Sequence, residues 1–379
     1  MRISTSMLYQ LSNNELTSMQ GSILKLNQQV TQQQTVLLPS DDAVAAARAL
    51  DLSQTQALND QYKTNRNNAD SSLSQVNAAL TSVTAMLTKI KSNITQAGNA
   101  AYSNNERANM ATELKGNLKE MLGFANATDA LGNYLFSGFK ATTQPFDYDS
   151  MGNIVYNGDQ GQQTLQVDST RNMEISVSGQ AVFQGAGQDT FKNMQDLITL
   201  LQVPVTEAAN NADTQAANTF QYPVGSLPAQ YPIQAYKTAQ AALDAAAPTD
   251  PNYSTLLTQA ANAKLLSDKA EAARTPIPGS QAALTRGLNK LGGAIDLQMN
   301  SVGAATASVG ARQSEIDNLN AAGDVLKVQY EQSVNDLLGR NPSDLSANIS
   351  ALSLQQTYLQ AAQKSFVVTS SLTLLNYLK

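Results

Sequence analysis

The chain of 379 residues contains no cysteine, no histidine and no tryptophan. Those zeros exclude a disulfide, a thiolate or imidazole zinc site, a Ser-His-Asp triad and a cysteine nucleophile. Charge is scarce as well: Asp, Glu, Lys and Arg make up 14% of the chain, 24 basic against 30 acidic, for a formal net charge of −6. Phosphate affinity needs a cationic face, so this balance argues against nucleic-acid binding. No run of about 18 apolar residues occurs, and no membrane insertion is expected. Met1-Arg2-Ile3-Ser4-Thr5-Ser6 carries one basic residue, but Ser12, Asn13, Asn14, Glu15 and Thr17 leave no room for an apolar core, so no cleaved secretory signal is expected. Lack of cysteine fits a cytosolic protein or one exported reduced and unfolded. The length allows two or three domains.

What the chain does have is periodicity. Leu16, Met19, Ile23, Leu26 and Val30 step by three and four, with Gln33 and Leu37 continuing the register up to Pro39. Stepping resumes at Leu52, turns polar through Thr55, Asn59, Tyr62 and Arg66, and recovers as Leu73, Val76, Leu80, Val83, Leu87, Ile90 and Ile94. Such spacing lays one stripe along a helix, the seam that a partner helix covers. Gly98-Asn99 breaks the helix, and Ser103-Asn104-Asn105-Glu106 reads as a capping box. The helix it opens runs to about Thr128, with Met110, Leu114, Leu118 and Met121 buried, antiparallel to its predecessor across a short loop.

The C-terminal part repeats the pattern. Leu288, Leu291, Ile295, Gln298, Val302, Ala305, Val309, Arg312, Ile316, Leu319, Gly323, Leu326, Tyr330, Ser333 and Leu337 hold one register until Asn341-Pro342. A last helix starts near Ser343, with Leu345, Ile349, Leu352, Leu359 and Phe366 on one stripe and Leu354, Tyr358, Val368, Leu372 and Leu375 on a second. A helix apolar on two faces must be covered on more than one side, which points to assembly.

The middle differs. Residues 137–190 are rich in Gly, Asp and Asn, with strand-like runs at 154–156, 164–167 and 173–177 and turn signals at Asn157-Gly158 and Ser178-Gly179. Phe191 to Val203 reads as a helix. Residues 204–280 hold eight of the 11 prolines and much alanine, with helical stretches near 234–247 and 253–273. The expected fold is therefore mainly α: N- and C-terminal helices paired in a coiled-coil-like bundle, with a small β-rich domain inserted. The expected divisions are terminal axial helices (1–40 and 341–379), a helical bundle stalk (41–135 and 281–340), the β-rich domain (136–203) and an Ala/Pro-rich insert of open fold (204–280).

Motifs that resemble chemistry have plainer readings. Ser40-Asp41-Asp42 after Pro39 is read as a helix cap, with Ser40 or Asp41 at the N-cap and carboxylates against the helix dipole. Asp147 to Gly152 begins like a calcium loop, yet Met151 takes the fifth position and Gly158 the twelfth, where a Glu is needed. Gly185-Ala186-Gly187 lacks the third glycine of a dinucleotide loop, Thr190 standing there. Gln298 and Arg312 interrupt an apolar seam; both a register-setting role and, for Arg312, a solvated pair with Glu315 stay open. No catalytic residue, metal site or cofactor site is expected.

Three stretches carry a resemblance. They are Met1-Arg2-Ile3-Ser4-Thr5 with Leu38-Pro39-Ser40-Asp41-Asp42-Ala43 through Leu50; Tyr134-Leu135-Phe136-Ser137-Gly138-Phe139-Lys140 followed by Thr143-Gln144-Pro145-Phe146; and Leu354-Gln355-Gln356-Thr357 through Phe366 to Leu378. Together these resemble the flagellar hook-associated protein 3 family of the flagellin superfamily, over roughly 1–203 and 281–379. The family often has Pro where Ala43 stands, and 204–280 has no counterpart in its shorter members.

The resemblance implies an extracellular structural protein of the bacterial flagellum, exported without a cleaved signal, with no enzymatic activity. It would form a ring at the hook–filament junction, between hook-associated protein 1 and flagellin, beside copies of itself, after an export chaperone has held its C-terminus. Its terminal helices would be mobile before assembly. The candidate assembly interface is then Leu16, Ile23, Leu26, Val30, Leu345, Ile349, Leu352, Leu359, Phe366, Leu372 and Leu375. A flagellin-type filament subunit and a secreted coiled-coil adhesin are the competing expectations.

Overall fold

The computed structural model describes residues 5–99, 101–185, 188–222 and 231–377; the side chains of Thr5, Ser6, Leu8 and 370–377 lie outside the described residues. Ten helices are described: α1 (Thr5–Gln32), α2 (Ala43–Ala97), α3 (Asn104–Ala125), α4 (Gly179–Phe183), α5 (Thr190–Gln202), α6 (Glu207–Thr219), α7 (Pro232–Ala245), α8 (Tyr253–Ala273), α9 (Gln281–Leu338) and α10 (Pro342–Tyr377). Two small sheets join them, β1 (Phe146–Tyr148) with β2 (Ile154–Tyr156) and β3 (Thr164–Asp168) with β4 (Arg171–Glu174). The chain divides into one unit of Met1–Asn68, Gln166–Asn172 and Glu315–Lys379, and a second of Ala69–Leu165 and Met173–Ser314.

In the first unit α1 ends at Gln32 because Gln33 turns to φ 53°, so the apolar register stops there and Leu37 sits in a loop. The stop of α9 is equally local. Gly339 adopts φ 61°, its N–H donates to the Asp336 carbonyl, and the Arg340 N–H reaches back to Asn335 at 2.8 Å. That is a Schellman cap, and Pro342 then opens α10. A Cβ on residue 339 would lie 2.5 Å from the Thr35 hydroxyl, so only glycine admits the α1–α2 loop there. The Thr35 N–H donates to the Leu338 carbonyl at 2.9 Å, fixing one loop on the other.

In this unit α2 runs antiparallel to the last part of α9, joined by Gln56 with Glu331, Asp60 with Lys327, Lys63 with Asp324 and Asn59 with the Gly323 carbonyl. The polar stretch through Asn59 and Arg66 is therefore a set of cross-helix contacts rather than a break in pairing.

The second unit is a helical bundle carrying the β1–β2 sheet and the insert. Leu73, Val76, Leu80, Val83, Leu87 and Ile90 on α2, Leu114 and Met121 on α3, Phe191, Met194 and Leu197 on α5, and Leu288, Ile295, Val302 and Val309 on α9 are buried. The box that opens α3 is complete: the Ser103 N–H donates to Glu106 at 2.6 Å, and the Glu106 N–H to the Ser103 hydroxyl. Beside the bundle, Phe136, Phe146, Phe183 and Phe191 form an aromatic cluster with ring centroids 5.0 to 5.7 Å apart. Strand β1 was not legible, the second hairpin strand ends earlier than 173–177, and Ser178-Gly179 opens α4 instead of a turn.

The described residues of 204–280 include α6, α7 and α8. Helices α7 and α8 pack together, and Ala217, Ile233 and Ala270 form a small core flanked by Phe220 and Tyr222. The sequence showed α7 and α8 but not α6, whose only apolar side chains are alanines.

Candidate assembly surface

Helices α1 and α10 lie antiparallel along a seam stepping three and four. On α1 it is half-buried Tyr9, Ser12, Leu16, Met19, Ile23, Leu26 and Val30; on α10 it is Leu345, Asn348, Leu352, Gln355, Leu359, Ala362 and Phe366. At one end Tyr9 meets Phe366 edge-on, centroids 5.7 Å apart. At the other, the Asn348 amide donates to the Thr35 hydroxyl at 3.1 Å.

Leu16, Ile23, Leu26 and Val30 thus share one seam with Leu345, Leu352, Leu359 and Phe366. Ile349 does not; it points outward, and Asn348 takes the inward place because the register steps by three from Leu345. The α10 backbone continues past Leu372 and Leu375, whose side chains lie outside the described residues. Reading large apolar residues alone missed Ser12, Asn348, Gln355 and the small Ala362, although the 3-4 spacing counted from their neighbours places them.

The second stripe of α10 is in solvent. Leu354 and Tyr358 are each 52% exposed and Val368 57%, on the side away from the α1 seam. Met7, Leu11 and Leu24 on α1 are exposed too. Burying such a row gains about 25 cal/mol per Å² of apolar area removed from water.

The helix cap falls one residue later than the sequence suggested. The Asp42 carboxylate accepts from the N–H groups of Val44 and Ala45, at 3.0 and 2.9 Å, and so caps α2. Asp41 instead accepts from Lys25 at 2.6 Å and from the N–H groups of Leu37 and Leu38. The Lys25 ammonium first, then the Leu38 N–H, hold the Asp41 carboxyl below its ordinary range. Ser40 is exposed in the turn.

In the second unit, Arg312 pairs with Glu174 on β4 and donates to the Glu174 and Ser176 carbonyls, while Glu315 pairs with Arg171 in the first unit. The Arg312–Glu315 pair considered from spacing is therefore not formed. Gln298, 0% exposed, donates to the Val182 carbonyl at the end of α4. The Asp149 carboxylate is occupied by the N–H groups of Met151 and Asn153, each at 2.8 Å, which makes that segment a turn. Among the described residues no group of three His, Cys, Asp or Glu side chains is placed to hold a metal ion, and no helix is long and apolar enough to cross a membrane.

Long antiparallel helices drawn from both ends of the chain, with small sheets hung between them, define a flagellin-like structural protein. Residues 3–141 match the bacterial flagellin N-terminal helical region. Flagellar hook-associated protein 3 of Salmonella typhimurium is 34% identical over 230 residues, covering 57% of this chain and 71% of that one. The Escherichia coli protein of the same name is 29% identical over 377 residues, 99% of this chain and 98% of that one. Two solved structures share the fold. A putative flagellar hook-associated protein from Vibrio parahaemolyticus has a TM-score of 0.52 at 20% identity, over 79% of this chain and 100% of that chain. The flagellar junction protein FlgL from Legionella pneumophila has 0.51 at 16%, over 77% and 100%. The chain belongs to the flagellar hook-associated protein 3 family. It is a structural component of the extracellular flagellum at the hook–filament junction, and not an enzyme.

Proposed function

We propose that the terminal helices join the hook–filament junction through two faces, one closed within the subunit and the other covered by neighbouring subunits. The observation that carries this is the exposed stripe of Leu354, Tyr358 and Val368, opposite a seam already covered by α1. Residues 342–369 contain only Asp344 and Lys364 as charged groups, so little in that helix favours solvent over a partner. The occupants of the outer face are copies of this chain around a ring, with hook-associated protein 1 on the hook side and flagellin on the filament side. An export chaperone covers the C-terminal helix before secretion.

Residues 1–40 and 341–379 order fully only on assembly. Fixing a backbone costs about 1–2 kcal/mol per residue. A seam whose members stay half exposed returns only part of the roughly 1.5–3 kcal/mol of a fully buried side chain. The polar, turn-rich composition of 136–280 taken as a whole supports a further part of the reading, that this region faces outward and that 204–280 is dispensable for junction formation.

Electron microscopy of flagella from a strain lacking the protein tests the role. Hooks without filaments and flagellin shed into the medium are expected; intact filaments would overturn it. Incubating purified subunits with filament seeds separates a junction protein, which adds no length, from a filament subunit, which does.

A further inference from the structure

In the first unit, Arg66 is buried in the α2–α9 interface at 2% exposure, where an apolar seam residue would be expected. Its Nε donates to Asn320 Oδ1 at 2.6 Å and its Nη1 to the Val167 carbonyl at 3.0 Å. Asn65 alongside donates to the Gln166 carbonyl at 2.7 Å, so the β3–β4 turn is tied to the same place. Opposite stands Gly323: a Cβ there would lie 2.6 Å from Arg66 Nη2 and 3.0 Å from Asn59 Oδ1. Asn59 also donates to the Gly323 carbonyl at 2.8 Å. One residue without a side chain thus admits one large cation, at a single level along the helix pair.

The structure assigns Arg66 and Gly323 as the residues that fix the register of α2 against α9: we infer that the guanidinium fits only opposite residue 323, so that any slip strands a buried charge. The apolar seams on either side cannot do this alone, because positions stepping by three and four are nearly equivalent after a shift of one heptad. Small side chains in α9, among them Gly303, Ala305 and Gly310, add little shape against sliding. A buried cation is a weak source of stability, since its desolvation offsets its contacts, and setting register is the best-attested use of such a group. Burial also lowers the Arg66 pKa from its ordinary value, as Asp168 and Asp324 oppose that shift.

The chain has no cysteine, so introduced pairs report register cleanly. Gln56→Cys with Glu331→Cys marks the native register, in which these side chains are bonded at 3.2 Å. Gln56→Cys with Asp324→Cys marks a slip of seven residues, about 10 Å along the axis. In the full-length chain, a short thiol cross-linker should join only the first pair. Adding Arg66→Met should leave helicity and melting temperature unchanged or higher, yet let the second pair cross-link with a yield comparable to the first. Gly323→Ala should give the same second product by displacing the guanidinium, and should add nothing in the Arg66→Met background. Cross-linking confined to the native pair in both variants would overturn the inference, as would additive effects of the two substitutions. A variant that unfolds is replaced by Arg66→Gln, which removes the charge but keeps a hydrogen-bonding head and should also release the slipped product. None of these readouts depends on the chain's place in the flagellum.

Discussion

Arg274 grips Asp213 with two nitrogens, each 2.8 Å from a carboxylate oxygen, across 61 positions of sequence. Both side chains are buried, and the remaining capacity is used: the Ile277 N–H donates to Asp213 at 2.8 Å, Glu271 pairs with Arg274, and Arg286 donates to the Arg274 and Glu271 carbonyls. A stretch rich in alanine and proline is thereby organised around one ion pair, with Asp213 on α6 and Arg274 just past the end of α8.

Asp213→Asn should loosen the insert, because it takes the bidentate carboxylate from a buried cation and leaves it only the more exposed Glu271, at a cost of about 3 kcal/mol. Hydrogen exchange should quicken in 207–273 while α2 and α3 stay protected. Replacing both partners, as Asp213→Leu with Arg274→Met, should cost far less. Equal exchange in the single variant and the parent would refute the role.

The same pair makes the insert acid-sensitive. Arg274 holds the Asp213 carboxyl below its ordinary value of 3.8. A depressed carboxylate contributes stability that is fully present above the unfolded value and is lost as pH falls through the lower native one. Acid titration should therefore open 207–273 below pH 3.8, with the step missing in Asp213→Asn.

Tyr358→Asp separates folding from assembly. The residue lies on the exposed stripe, so the monomer's melting should shift by no more than the ~0.5 kcal/mol expected of a surface change. Incorporation into the junction should fail, giving secreted protein and a non-motile strain. Leu352→Asp, on the covered seam, should block assembly by the other route, loss of α1–α10 pairing, seen as terminal helices that stay open to proteolysis under conditions in which the parent assembles and is protected.

Phe136 anchors the aromatic cluster, edge-on to Phe183 at 5.5 Å, and its carbonyl accepts from the Tyr156 hydroxyl and the Gly179 N–H. Phe136→Ala should cost about 3–5 kcal/mol. Gly138→Ala should fail for a different reason. That residue has φ 73°, and a Cβ would fall 2.1 Å from Asp159 Oδ1, the carboxylate that accepts from the Phe139 and Gly161 N–H groups. Thermal melts of the two variants check both.

Asp42→Ala removes the N-cap of α2 and should cost about 1 kcal/mol. Ser40→Ala, in the exposed turn, should cost nothing measurable by the same melt.

The Tyr134 to Phe139 stretch and Gln144-Pro145-Phe146 carried family resemblance in the sequence, and the structure gives the reason: Phe136 and Phe146 are core residues of one cluster. Nothing local announced Phe183 as their partner, since α4 is short and opens with Ser178-Gly179, a pair that also makes turns. Likewise Ile349 and Asn348 are adjacent, and apolarity alone chooses the wrong one; the loop at Thr35, more than 300 residues away, decides which faces inward.

The order of residues by itself determined the long helices, their seams, the Ser103–Glu106 box, the break at Asn341-Pro342 and the lack of thiol or imidazole chemistry. Each of these follows from helical periodicity, from capping over a few residues or from composition. Only the tertiary structure decided that Arg312 turns to Glu174 and not to Glu315, that Gln298 reaches Val182, that Gly323 faces Arg66, and that Asp213 finds Arg274. Those pairings join residues up to 257 positions apart, and the path of the chain, which no local pattern encodes, sets which buried charge meets which partner.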